Sequence, residues 1–360
     1  MTFPINSKSA REGQAINRKS FDRWLNGLED FIPFYMENST ADMEDIIRNA
    51  FNFWNDHSRW NGYDFYEVGM AQPIHLGHNC LNYGRALHEI AHALGFFHEH
   101  ERHDHKDFVT INRTNVLNKK DLVNYVPYSD KKNNNQGVPY DYGSNMHYSG
   151  YLSKRSAVDE NIPVIKPTPG NELYAQTMGQ RIKPSFLDVK MMNKLYDCEY
   201  NCAKVIKANC SNGGFPNPKK CNECICPWGF SGDCSQRDLG SSGTISCGAD
   251  LEVSDEWATL EASIGSKRMG LKDYHDYCHC HIKAPGKLVE LEIQEIQSYG
   301  DSMRAENVTY GCPLNNVEFK MLNYMERTGY RFCTEHDLKV VPDNKLTSEG
   351  PLAVVSAYAR

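Results

Sequence analysis

The cysteines divide this chain in two. Residues 1–197 contain one, Cys80, while residues 198–333 contain the other twelve. Cysteines this dense and closely spaced are the mark of small disulfide-stapled modules in an oxidising compartment. The first half must therefore close around an apolar core, whereas the second can rely on cross-links. Four N-x-[ST] triplets, at Asn38, Asn112, Asn209 and Asn307, are candidate glycosylation sites and agree with export. The expectation is a secreted, extracellular protein. Its opening, MTFPINSKSAREGQ, lacks the apolar run of a signal peptide, so signal and pro segments are expected to lie outside this sequence. A balance of 39 Lys+Arg against 46 Asp+Glu, net −7, without a basic block, argues against nucleic acid as a partner. No run approaches 18 apolar residues, so no membrane span is expected. Nothing in these patterns speaks to oligomeric state.

Residues 1–19 are polar and aperiodic and read as a flexible tail or pro-segment remnant ending in Arg18-Lys19. A helix follows where Met43, Ile46, Ile47, Ala50, Phe51 and Trp54 recur at helical spacing, with Ser39 or Thr40 as its cap. A second helix is expected over roughly 83–95, with room for at most two short strands between the two. Phe108–Asn112 reads as a strand, 113–187 as mostly irregular, and Leu187, Met191, Met192, Leu195 and Tyr196 as a last amphipathic helix ending at Cys198. Small, cysteine-rich loops run to Cys234, and GSSG at 240–243 suits a linker. Beyond it the chain alternates like strands: Val289, Leu291 and Ile293 inward, Glu290, Glu292 and Gln294 outward. The boundaries read as 1–19 tail, 20–198 catalytic domain, 199–236 cysteine-rich module, 237–246 linker and 247–358 all-β sandwich.

The chemistry is concentrated in HEIAHALGFFHEHERHD, residues 88–104. His88 and His92 are four apart, so one helix presents both imidazoles to the same point. Gly95 can adopt the positive φ that ends the helix and lets His98 return as a third ligand. Three neutral imidazoles with an open position make a catalytic zinc site. Glu89, beside the first of them, is placed as general base toward an attacking water. A bare H-E-x-x-H arises often by chance. The extended H-E-x-x-H-x-x-G-x-x-H pattern with Ser144-Asn-Met146-His-Tyr148 downstream is the metzincin arrangement. No G-x-S-x-G or P-loop string competes. His75, His78, His100, His103 and His105 fall off the spacing and read as surface residues, and Cys80 as structural.

HEIAHALGFFHEHERHD followed by YGSNMHY resembles the astacin family of secreted zinc endopeptidases. FDRWLNG at 21–27, DFVTINRTNV at 107–116 and MGQRIKPSFLDVKMMNKLYDC at 178–198 extend the likeness over most of the first 198 residues. The resemblance implies a zincin-type α+β catalytic domain and one Zn2+ per chain. It further implies Tyr148 as an additional zinc ligand that also steadies the oxyanion, and Met146 as the floor beneath the metal. Glu99 would anchor the mature N-terminus, which cleavage after Lys19 would place at Ser20. Cys202, Cys210, Cys221, Cys224, Cys226 and Cys234 resemble an EGF-like module, whose pairing would be first to third, second to fourth, fifth to sixth. A zinc knuckle on Cys221 and Cys224 lacks a second pair. The tail resembles a CUB domain, implying the pairs Cys247–Cys278 and Cys312–Cys333. This domain order is typical of nematode members and implies extracellular protein or peptide substrates, matrix or cuticle among them.

Three departures stand against that pattern. The interval from Trp54 to Cys80 is short and lacks the two further cysteines usual in the family, which bears on the strand that pairs with extended substrate. Cys80 and Cys198 thereby lose their usual partners, and Cys280 is an odd thirteenth cysteine. Asn315 and Asn316 stand where an acidic calcium ligand is common. Two readings follow: an active zinc endopeptidase, or a catalytically impaired secreted binding protein with a zinc-loaded cleft.

Overall fold

Apolar residues at helical spacing build the first helix, α1, over Ala41–His57. Met43, Ile46, Ile47, Ala50 and Trp54 are buried on one face, and the Trp54 indole N–H donates to the Leu87 carbonyl at 3.3 Å. That carbonyl belongs to α2, Tyr83–Ala93, whose Leu87, Ile90 and Ala91 complete the contact. The third helix, α3, spans Phe186–Leu195 and starts at Ser185 with a reciprocal cap to Asp188. Phe186, Leu187, Val189 and Met192 close the same core, each large side chain contributing roughly 1.5–3 kcal/mol of burial.

The computed structural model describes residues 31–34, 41–58, 61–64, 82–152, 156–241, 247–265, 274–297 and 311–360, with backbone alone at 31–34, 41–42 and 61–64. The proposed tail, Lys19–Ser20, FDRWLNG, the α1 cap, His75, His78, Cys80, Asn38 and Asn307 lie outside the described residues. Strands β1 (Phe31–Phe34) and β2 (Asn61–Asp64) pair in parallel. Strand β3, Val109–Ile111, falls within the predicted run. Its partner β4, Ile165–Pro167, was expected as irregular chain. A proline argues against a strand on sequence alone, but Pro167 ends an edge pair where no ladder N–H is needed. Among the described residues, the rest of 113–185 carries 3-10 turns at Arg113–Asn115, Lys119–Tyr125 and Glu172–Tyr174 between irregular loops, and Tyr125, Tyr140, Tyr142 and Tyr174 form a second core with Ile165 and Met178.

The cysteine-rich segment holds two hairpins, β5 (Phe215–Asn217) with β6 (Lys220–Ile225) and β7 (Phe230–Ser231) with β8 (Gln236–Arg237). Its bridges are Cys202–Cys221, Cys210–Cys224 and Cys226–Cys234. The last region contains β9 (Asp250–Glu252), β10 (Asp276–Lys283), β11 (Glu290–Glu292), β12 (Asn315–Lys320), β13 (Tyr330–Phe332), β14 (Lys345–Thr347) and β15 (Leu352–Ala359). Five form one sheet in the order β13-β12-β15-β10-β9, antiparallel except for β9 against β10. The pair β11–β14 shares with it a core of Val289, Phe319, Phe332 and Leu346. Bridges Cys247–Cys278 and Cys312–Cys333 tie this region. Cys280 is buried and, among the described residues, joins no bridge.

These regions touch through specific polar contacts. The Thr328 hydroxyl donates to Asp141 at 2.9 Å, the Gln176 amide to Asp337 at 2.9 Å, and the Trp228 indole to the Pro184 carbonyl at 3.0 Å. Thr177 donates to the Gly329 carbonyl and accepts from the Arg331 N–H. The terminal β region is thereby set against Asp141 and the turn that carries Gln176 and Thr177.

Candidate active site

Asn82 caps α2 by accepting the Arg85 N–H at 2.9 Å. The helix packs backbone to backbone at its start: a Cβ on Gly84 would lie 1.7 Å from the Arg181 carbonyl oxygen. One turn separates His88 from His92, and the helix stops after Ala93 where Gly95 takes φ +94°. The Phe96 N–H returns to the Ala91 carbonyl and the Tyr196 hydroxyl donates to that of Leu94, so the last carbonyls are satisfied. The chain then runs extended through His98, which faces back toward the helix.

The three Nε2 atoms converge. His92 lies 3.1 Å from both His88 and His98. Each Nδ1 has an acceptor: the Asn145 carbonyl for His88 and the Phe96 carbonyl for His92, both at 2.7 Å, and Glu101 for His98 at 3.1 Å. Proton-bearing Nδ1 atoms leave three bare Nε2 lone pairs pointing at one another, an arrangement that is repulsive without a cation between them. Burial, reinforced by the Arg181 guanidinium and, at His88 and His98, by neighbouring imidazoles, lowers the pKa of all three histidines and keeps them neutral. The donor set fits zinc, which takes neutral imidazoles.

Glu89 is partly exposed beside His88, and burial raises its pKa against the opposing pull of Arg181. The Tyr148 ring lies 4.2 Å from that of His98, and burial raises the pKa of its phenol, keeping it protonated. Met146 is buried in the core shared by α1, α2 and α3. Its turn is pinned by Asp188, which accepts from the Ser144 hydroxyl at 2.6 Å and the Asn145 N–H at 2.8 Å while capping α3. The Glu99 N–H then donates to the Met146 carbonyl at 3.0 Å, tying this turn to the segment carrying His98. Glu99 itself is buried, accepting from Arg102 at 3.0 Å and the Asp141 N–H at 2.9 Å. Burial and the charges of Asp188 and Asp141 outweigh those donors and push its carboxyl up to about 7.

The structure corrects the reading of two histidines. His100 and His105 are buried, not surface residues. His100 donates to the Asn124 carbonyl and is pushed down to about 3 by burial; His105 is held at the Arg102 carbonyl. His103 is exposed, as expected. Asn112 is half-buried and Asn209 exposed. Asp188, Glu101, Arg102 and Arg181 were not singled out from sequence. Only Asp188 left a signal, the S-x-x-D cap preceding the last apolar run.

The model of the astacin peptidase family matches residues 65–197. Zinc metalloproteinase nas-25 of Caenorhabditis elegans is 31% identical over 98% of this chain and 88% of its own length. The chain belongs to the astacin family. Its N-terminal half is accordingly a zincin-type α+β catalytic domain. Zinc metalloproteinases nas-31 and nas-27 of the same nematode are 35% and 34% identical over 81% and 80% of the chain. Those matches span only 44% and 66% of the two relatives' own lengths. Among solved structures, high choriolytic enzyme 1, a hatching enzyme zinc-protease from Oryzias latipes, aligns with TM-score 0.40 and 23% identity, covering 46% of this chain and 88% of that one. No helix among the described residues is long and apolar enough to cross a membrane.

Proposed function

We propose that this astacin-family chain is a secreted zinc endopeptidase that hydrolyses internal bonds of extracellular proteins. The observation that carries the reading is the convergence of three bare imidazole nitrogens from His88, His92 and His98. These residues, with Tyr148 beside them, would hold one Zn2+, which when bound polarises a scissile carbonyl and acidifies water. Glu89 takes the proton of the attacking water at its carboxylate and returns it to the departing amine. Tyr148, kept protonated by burial, donates its O–H to the developing oxyanion. Met146 floors the site, and Glu99 receives the amine of a mature N-terminus at the small cleft it shares with Val138, Asp188 and Met191. We further assign 20–198 as the catalytic domain, 199–236 as an EGF-like module, 237–246 as a linker and 247–358 as a CUB domain. The order of disulfides, first to third, second to fourth and fifth to sixth, supports the EGF-like assignment. Asn112 and Asn209 are the glycosylation candidates among the described residues.

Cleavage of a peptide library by wild type beside Glu89→Gln tests the reading. Glu89→Gln is expected to keep one zinc per chain and lose about 10²–10⁴ in turnover. Undiminished cleavage would remove Glu89 from the role of base. One zinc with cleavage by neither protein would favour the secreted binding protein with a zinc-loaded cleft.

A further inference from the structure

His88 and His92 stand on a capped helix, and main-chain carbonyls receive their Nδ1–H groups at 2.7 Å. His98 has neither advantage. It sits in extended chain beyond Gly95, at φ −72° and ψ 144°, where backbone alone does not fix the ring. What holds it is Glu101, a carboxylate 7% exposed to solvent. One carboxylate oxygen lies 3.1 Å from His98 Nδ1 and accepts the main-chain N–H of His98 at 3.3 Å. The Glu101 carbonyl is fixed in turn by the Tyr128 N–H at 2.8 Å. The same histidine is thus gripped at ring and backbone by one side chain.

A carboxylate oxygen that accepts both the ring N–H and the main-chain N–H of one histidine holds that residue at two points, where a single carbonyl holds only the ring. A carboxylate on Nδ1–H also leaves the opposite ring nitrogen richer in electrons. We propose that Glu101 is a positioning residue of the metal centre: it fixes the tautomer and rotation of His98 and makes that imidazole the strongest donor of the three. Retention of zinc therefore depends on a residue outside the ligand set and absent from the H-E-x-x-H-x-x-G-x-x-H pattern. This rests on the zinc reading above.

The test compares the full chain with Glu101→Gln, close to isosteric and uncharged, and Glu101→Ala. Zinc affinity is measured by chelator competition, and the exchangeable imidazole protons of the zinc-loaded proteins by NMR. About tenfold weaker binding is expected for Glu101→Gln and about a hundredfold for Glu101→Ala. The His98 Nδ1–H resonance should move upfield in Glu101→Gln while those of His88 and His92 stay, which a merely structural role would not produce. Zinc binding by Glu101→Gln within twofold of wild type, with the His98 proton unmoved, overturns the proposal. A wild-type chain that binds no zinc would instead overturn the metal reading, and the proposal with it.

Discussion

Two buried carboxylates, each about 3 Å from an arginine, titrate in opposite directions. Glu318 on β12 receives Nε and Nη2 of Arg331 at 3.0 and 2.8 Å and the Gly329 N–H at 2.9 Å. Burial pushes its carboxyl up, but Arg331, the neighbouring Lys320 and that N–H outweigh it and hold the group at about 2. Glu99, beside the candidate metal centre, receives one nitrogen of Arg102, a guanidinium that also serves Asp104 and the carbonyls of Val138 and Pro139. Asp188 and Asp141 add like charge, and Glu99 rises to about 7. The terminal β region thus keeps its buried acid as a fully paired ion. The catalytic region keeps its own near the point of ionisation. The five bridges among the described residues lie between Cys202 and Cys333.

The sharpest way to break this comparison is Arg331→Met. It strands an ionised carboxylate in the β region and is expected to cost about 3–5 kcal/mol in urea denaturation. In Arg102→Met the part of the loss that comes through Glu99 should be smaller, about 1–3 kcal/mol at mildly acidic pH, because Glu99 escapes by holding its proton, while the Asp104 pair and the two carbonyl contacts are lost at every pH. The sign follows from the raised pKa. Wild-type Glu99 ionises and gains from Arg102 only as pH rises through about 7, so the cost of losing Arg102 grows across that range. The cost of losing Arg331 is complete at neutral pH, since Lys320 and the Gly329 N–H keep Glu318 ionised. Equal pH dependence in the two variants would dissolve the contrast. The smallest effect belongs to the joint between regions: Thr328→Val removes one hydrogen bond to Asp141 and should cost about 1–2 kcal/mol. Faster hydrogen exchange confined to the 141–148 turn and the 321–329 loop would localise it there.

Much of the fold was legible because local rules are strong. The apolar spacing of Met43 to Trp54 marks α1, and the burial of Met43, Ile46, Ile47, Ala50 and Trp54 follows that face. Gly95 ends α2 at the position the histidine spacing requires, so that His98 meets His88 and His92. Strand β4 was not legible, because Ile165–Pro167 is defined by its partner Val109–Ile111, more than fifty residues away, and its own residues argue for a loop. His100 and His105 were misread for a related reason. A histidine's burial depends on what packs over it, and the 3-10 turns of 113–125 carry no strong period.

The amino-acid sequence by itself determined the triad of His88, His92 and His98, the helix that carries two of its members and the cysteine spacing. Each depends on residues a few positions apart, where backbone geometry leaves little choice. Only the tertiary structure decided that Asp188 pins the turn around Met146, that Glu101 grips His98, that Thr328 reaches Asp141, and that Glu99 and Glu318 differ in charge. These outcomes depend on which donors and charges packing brings around a buried group, and in a low-dielectric interior that company sets both its ionisation and its hold on neighbours.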